Sequence, residues 1–214
     1  MNIDKLSSAD AKEIFAKIKN IMNKNEDYLF KLDSDMGDGD LGLTMSKGFS
    51  KVYDVVSELN EESIGKIFIK AGMTLVTAVP STMGTLMATG FIRAGKSVKN
   101  KTEVDLSDFA LMLESFVNGI IERGKAKLGE RTIIYSLYPA SKALKSAFES
   151  KKSLKESFKD AYKGSKEGVE ATRKMTPKHG KAIYHTERSA GKEDPGAAAG
   201  MLLIKAFNDY LQQS

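Results

Sequence analysis

The chain of 214 residues contains no cysteine and no tryptophan, four prolines and two histidines. Without cysteine there is no disulfide framework and no thiolate chemistry, which is compatible with a reducing compartment. Long apolar runs are missing as well. No uninterrupted stretch approaches the roughly 20 residues of a membrane span. The opening residues, "MNIDKLSSADAKEIFAKIK", lack the apolar core of a signal peptide. The expectation is a soluble, cytoplasmic protein with no membrane partner. His179 and His185 have no patterned partner, so neither a Ser-His-Asp nor a Cys-based nucleophile takes shape. Nothing resembling a Pro- or Ser/Gly-rich linker interrupts the chain, and no internal repeat is visible. A chain of this length can bury roughly two-thirds of its unfolded surface. One domain over residues 1–214 is therefore expected.

Charge of one sign is only mildly in excess: 33 Lys+Arg against 28 Asp+Glu give a net +5. Much of the surplus lies between Lys142 and Lys181, as in "KKSLKESFKDAYKGSKEG". These lysines alternate with acids at helical spacing, and no aromatic ladder offers bases a stacking platform. A solvated helix face is the better reading, and no nucleic-acid partner is expected.

The apolar residues that are present recur at helical spacing. Ile14, Ile18, Ile21 and Met22 form one stripe after a Ser7-Ser8 start. Further stripes run through Met45–Leu59, Ile64–Val79, Phe109–Ile120 (opened by Asp105 or Ser107), Ile133–Ala147, Leu154–Thr172 and Pro195–Leu211. No alternation of period two and no hairpin signal is found. Periodicity thus predicts an all-α protein of roughly eight helices and no sheet.

Three segments carry chemical signals. In "KLDSDMGDGDLG", residues 31–42, Asp33, Asp35, Asp38 and Asp40 are interspersed with glycine. Carboxylate oxygens suit a hard divalent cation, and glycine lets the backbone fold tightly round a small ion. The EF-hand register fails. Counted from Asp33, the fifth residue is Gly37, the sixth Asp38 and the twelfth Thr44, where a ligand, a glycine and a glutamate are needed. Mg²⁺ takes one or two protein carboxylates and completes its shell with water and phosphate, so these acids could hold two ions on a nucleotide. The competing reading is a solvated surface turn.

"GFIRAGKS", Gly90 to Ser97, matches the phosphate-loop pattern letter for letter. That motif works only between a buried strand and a helix. The upstream "STMGTLMAT" is not β-branched and the downstream "VKNKTEVD" opens no apolar helix. The segment reads as a helix end with a glycine C-cap, and a nucleotide site on Lys96 is the remote alternative. In "ERSAGKEDPGAAAG", Asp194 and Pro195 make a strong helix start. Its N–H groups could attract an anion beside Lys181, Arg188 and Lys192, although plain capping accounts for Asp-Pro equally well.

Taken together, "LDSDMGDGDLGLTMSKGFSKV", "AGMTLVTAV", "GFIRAG", "RGKAKLGERT" and "HGKAIYHTERSAGKEDPGAAAG" resemble, in order and spacing, the nucleotide-binding L subunit of the bacterial phosphoenolpyruvate-dependent dihydroxyacetone kinases. They are also similar to the C-terminal domain of the ATP-dependent enzymes. The resemblance implies an all-α barrel of about eight up-and-down antiparallel helices, with nucleotide and magnesium held by loops at one end. It implies that Asp33, Asp38 and Asp40, but not Asp35, bind two Mg²⁺ ions. Residues at the nucleotide (ADP or ATP) match Leu41, Gly42, Leu43, Thr44, Thr82, Met83, Gly124, Ile133, Lys181, Asp194, Pro195 and Gly196. The implied partners are a phosphohistidine carrier subunit of the phosphotransferase system, which recharges the ADP, and a K-type subunit holding dihydroxyacetone. A homodimer stays open.

The sequence also departs from the family. Leu41, Leu43 and Thr44 replace a usual His, a variable residue and Asn after the aspartates. "PSTMG", residues 80–84, replaces a Gly-Gly-Ala-Ser-Gly run; Pro80 removes an N–H and Met83 a hydroxyl. Tyr135 stands where an aspartate is usual, and Lys181 where an arginine is. The metal ligands are kept while the nucleotide shell has changed. Two readings follow: a magnesium-dependent phosphotransferase subunit, or a non-catalytic paralogue that senses a nucleotide or another phosphate ligand.

Overall fold

The computed structural model describes residues 4–179, 182–183 and 186–213. Within them, eight helices of 15 or more residues account for most of the chain: α1 (Ser8–Lys24), α3 (Leu41–Ser57), α4 (Ile64–Ala78), α5 (Thr82–Ser97), α6 (Leu106–Gly124), α7 (Ile134–Glu149), α8 (Leu154–Ala171) and α10 (Pro195–Gln213). Two shorter helices, α2 (Glu26–Ser34) and α9 (Thr186–Ser189), and a 3₁₀ turn over Thr172–Lys174 lie between them. The fold is all-α.

Local signals set the helix starts. Ser7, Asp105 and Ser153 each form a capping box with the acid three residues on, Asp10, Asp108 and Glu156, which satisfies two otherwise orphaned N–H groups. One expectation is corrected here. The structure contains a small antiparallel pair, β1 (Lys5–Ser7) with β2 (Glu103–Asp105), in which Leu6 faces Val104. Strands of three residues are too short to show an alternating period. A second correction concerns α5. It continues through Gly95 to Ser97, so that glycine is not a C-cap. Gly95 is instead where α4 crosses: a Cβ on Gly65 would sit 2.5 Å from the Gly95 carbonyl oxygen and from Lys99 Cα. The glycines let two helix backbones touch.

The long helices pack in chain order, α3 on α4, α4 on α5, and so on to α8, and α10 packs on both α8 and α1. α1 in turn packs on α3, with α2 laid against α3, so the neighbours form a ring. Short connectors between packed helices make successive neighbours run up and down. Inside the ring, Phe91 is surrounded by the rings of Phe15, Phe49, Phe68 and Phe116 at centroid distances of 5.2–5.8 Å. Phe109, Phe158 and Phe207 form a second group. Alternating direction has a consequence for function. The starts of α3, α5, α7 and α10 and the ends of α4, α6 and α8 all fall at one end of the ring.

Candidate metal and nucleotide site

The aspartate segment lies at that end, between α2 and α3. Asp33 sits on the last turn of α2, half-buried; Asp38 and Asp40 are exposed. Gly39 takes φ +73°, a left-handed conformation that returns the chain towards α3 and that a side chain would resist. Asp40 precedes α3 in the N-cap position, yet its carboxylate makes no capping hydrogen bond. It stays available for another partner. Asp33 Oδ2 accepts from the Leu41 N–H at 3.2 Å, which ties the two ends of the loop together. Ligand-capable oxygens of Asp33, Asp38 and Asp40 all lie within 4.8 Å of one another. Asp35 is turned elsewhere and pairs with Lys192 Nζ at 2.7 Å.

The three carboxylates repel one another. Burial pushes the Asp33 carboxyl above the ordinary aspartate value, and the charges of Asp38 and Asp40 push it the same way; only backbone N–H donation from Leu41 and Asp40 opposes them. A hard cation would remove that repulsion. An all-oxygen donor set without nitrogen or sulfur matches Mg²⁺, whose ligands stand at about 2.0–2.1 Å. The residues therefore fit the ion that the resemblance implies.

The start of α10 lies close by. Asp194 is buried, accepts from the Ala197 N–H at 2.8 Å, and receives Thr172 Oγ1 on its own N–H at 2.9 Å. The hydroxyl is the acceptor in that second bond. Burial raises the Asp194 carboxyl; the Ala197 N–H and the charge of Arg131 lower it, and the charge of Asp33 adds to the rise. The charge of Asp33 thus reaches the start of α10. Facing Gly196 are Met83 and Ile133: a Cβ there would lie 3.1 Å from Met83 Cε and 3.3 Å from the Ile133 nitrogen. The structure accordingly brings Met83, Ile133, Asp194, Pro195 and Gly196 together. Thr82 is exposed on the first turn of α5, and Gly124 ends α6 beside Leu86, one turn along from Met83.

Several sequence expectations land differently. The Leu41 side chain is buried in the apolar core, so only its backbone N–H reaches the site, while Leu43 is exposed. Gly42 is where α3 meets α2: a Cβ would collide with the Glu26 carbonyl oxygen. Thr44 donates its N–H to the Asp40 carbonyl at 2.8 Å. Lys181 and His185 lie outside the described residues. His179 Nε2 contacts Glu130 Oε2 at 2.6 Å. The phosphate-loop alternative is excluded, because residues 90–97 lie inside α5 and their amides serve the helix; a Cβ on Gly90 would strike the Phe116 ring. Sequence reasoning missed Arg131, the largest side chain among those fully buried. Nothing in "LGERT" announces it, since its partners stand 44–95 residues away.

With the geometry established, comparison with known proteins is decisive. A DAK2 domain matches residues 35–209. The chain belongs to the DAK2 family. It is 32% identical over 185 residues to the PEP-dependent dihydroxyacetone kinase, ADP-binding subunit DhaL, of Escherichia coli (strain K12), covering 86% of this chain and 88% of that protein. It is also 32% identical to the ADP-binding subunit DhaL of PEP-dependent dihydroxyacetone kinase 1 from Listeria innocua serovar 6a, over 87% of this chain and 88% of the relative. Among solved structures it superposes on the dihydroxyacetone kinase from C. freundii in complex with AMP-PNP and Mg²⁺, with TM-score 0.73 and 23% identity. That likeness covers 94% of this DAK2 chain and 34% of the larger kinase chain, and it carries the fold alone. Among the described residues of the DAK2 chain, no helix is long and apolar enough to cross a membrane.

Proposed function

We propose that this chain is the ADP-binding, magnesium-dependent phosphotransferase subunit of a phosphoenolpyruvate-dependent dihydroxyacetone kinase. It acts as one unit in the cytoplasm. It takes a phosphoryl group from a phosphohistidine carrier subunit and passes it to a small ketose held on a K-type subunit. One observation carries the reading: in a DAK2 chain, Asp33, Asp38 and Asp40 converge within 4.8 Å beside the N-terminus of α10.

Asp33, Asp38 and Asp40 hold two magnesium ions. Magnesium, when bound, supplies the positive charge that lets phosphate oxygens approach carboxylates and that neutralises charge developing in transfer. Leu41, Gly42, Leu43 and Thr44 form the first turn of α3, whose N-terminal dipole favours an anion. Thr82 and Met83 border the nucleotide from α5, Gly124 from the end of α6 and Ile133 from the α6–α7 connector, and Lys181 adds a cation. Asp194, Pro195 and Gly196 set the direction of α10. Among the described residues no hydroxyl at this end is paired with a base that would activate it, and on this reading the acceptor hydroxyl comes from a separate subunit. Positioning and electrostatics are the work left to this chain.

The test is native mass spectrometry of the protein as purified, where an added mass of ADP is expected. Asp38→Ala or Asp40→Ala should abolish magnesium-dependent ADP binding in calorimetry, and an unchanged affinity in either variant sinks the assignment. A second reading has its own support. Leu41 is core and Pro80 offers no N–H, so the phosphate shell is thinner than the family's. A sensing paralogue follows from that, and phosphoryl transfer to dihydroxyacetone in the reconstituted three-component system rules it out.

A further inference from the structure

We propose that Arg131 is a positioning residue: its buried guanidinium locks the aspartate loop and the segment before α10 into one arrangement, and so sets where the Asp33, Asp38 and Asp40 carboxylates stand relative to the start of α10. The inference rests on the proposed function and adds a residue that the sequence did not single out.

Arg131 is 2% exposed. Nη1 donates to the carbonyl oxygens of Met175, at 3.0 Å, and Ser189, at 3.2 Å. Nη2 donates to the Lys192 carbonyl at 3.0 Å and to Met36 Sδ at 3.3 Å. One side chain from the α6–α7 connector thus holds the chain after the 3₁₀ turn, the end of α9, the residue two before Asp194, and the middle of the aspartate loop. The segment it grips is tied to the acidic side of the site by further links. Lys192 Nζ meets Asp35 Oδ2 at 2.7 Å. Glu193 accepts from the Tyr28 hydroxyl on α2 and from Arg173 Nη2 at 2.9 Å.

Stability alone is a poor reason for this residue. The acceptors are neutral, and among the described residues Nε–H has no partner and no carboxylate pairs with the guanidinium. Burial pushes its pKa down, and only the charge of nearby Asp194 opposes this. A well-packed apolar side chain in such a place is often neutral or stabilising by comparison. What an apolar side chain cannot do is fix four acceptors at set angles. The planar fork of arginine does that, and the single ammonium of lysine does not. The gain is therefore geometric.

The test uses the full chain with Arg131→Lys, Met36→Leu and, as a control, Asp38→Ala. Met36→Leu removes the sulfur acceptor at nearly constant volume. Each variant is melted without ligand, and ADP binding is then titrated by calorimetry with and without Mg²⁺. Arg131→Lys is expected to weaken magnesium-dependent ADP binding by about 10–100-fold, the size typical of residues that orient metal ligands, and Met36→Leu by less, while both still melt cooperatively. If Arg131→Lys does not fold, Met36→Leu carries the test. If the folded variants bind Mg²⁺ and ADP like the unsubstituted chain while Asp38→Ala does not bind, the role of Arg131 is overturned and the site assignment stands. A loss that only tracks the unfolded fraction in the melt also overturns it. If Asp38→Ala binds normally, the site assignment fails and this inference with it.

Discussion

The wall of the ring and its loop end are built on different physics. The wall is redundant: Phe91 has four aromatic neighbours, and α4 and α5 touch through glycine backbones. No single contact there is indispensable to position, but each adds to stability. The loop end is sparse and polar. It depends on Arg131, Asp194 and a few pairs such as Lys192–Asp35, and it gathers acids that repel one another. Substitutions should therefore separate cleanly, the wall moving stability and the end moving affinity.

The largest break should come from the wall. Phe91→Ala removes a ring that touches four others and is expected to cost about 3–5 kcal/mol. Chemical denaturation measures it, and Mg²⁺·ADP affinity of the folded fraction should not change. Next is Gly65→Ala, whose new methyl would meet backbone that cannot step aside, 2.5 Å from the Gly95 carbonyl. About 1–3 kcal/mol of overpacking cost is expected, again without loss of affinity. The smallest effect should have the opposite sign. The folded Asp33 carboxyl is raised above its unfolded value, so its stabilising protonated form is lost as pH rises through the folded value. At neutral pH the ionised group opposes folding. Asp33→Asn should then raise the ligand-free melting temperature slightly, while weakening magnesium binding. The same sign predicts that magnesium affinity in the unsubstituted chain falls on acidification, beginning at a higher pH than for an ordinary aspartate. A variant that loses both stability and affinity would merge the two regions into one.

The wall was the more legible of the two in sequence. Ile14, Ile18, Ile21 and Met22, or Phe109, Met112, Phe116 and Val117, repeat at helical spacing and are all buried. α5 was obscure because "TMGTLMATGFIRAGKS" carries glycines and threonines that favour no isolated helix, and packing on α4 and α6 decides the matter. α2 buries only Leu29 and leaves no stripe. At the loop end, the crowding of the acids showed through their spacing, although a solvated turn has the same composition and only the fold brings three of the four together. Arg131 and the Tyr28–Glu193 link did not show, because a contact between residues 165 apart writes no local pattern.

The seam between α1 and α10 bears on how the molecule is made. Asp10 on α1 accepts from the Tyr210 hydroxyl on α10, 200 residues along the chain. Closing so long a loop costs more chain entropy than any step between consecutive helices, so this seam is expected to close after α10 has packed on α8. The ring is then an open arc until α1 and α10 meet. The aspartates, on the α1–α3 side of the seam, reach Asp194 and the start of α10 in the same event. Closing the seam and assembling the site are expected to coincide, so chains with an open seam should not bind nucleotide.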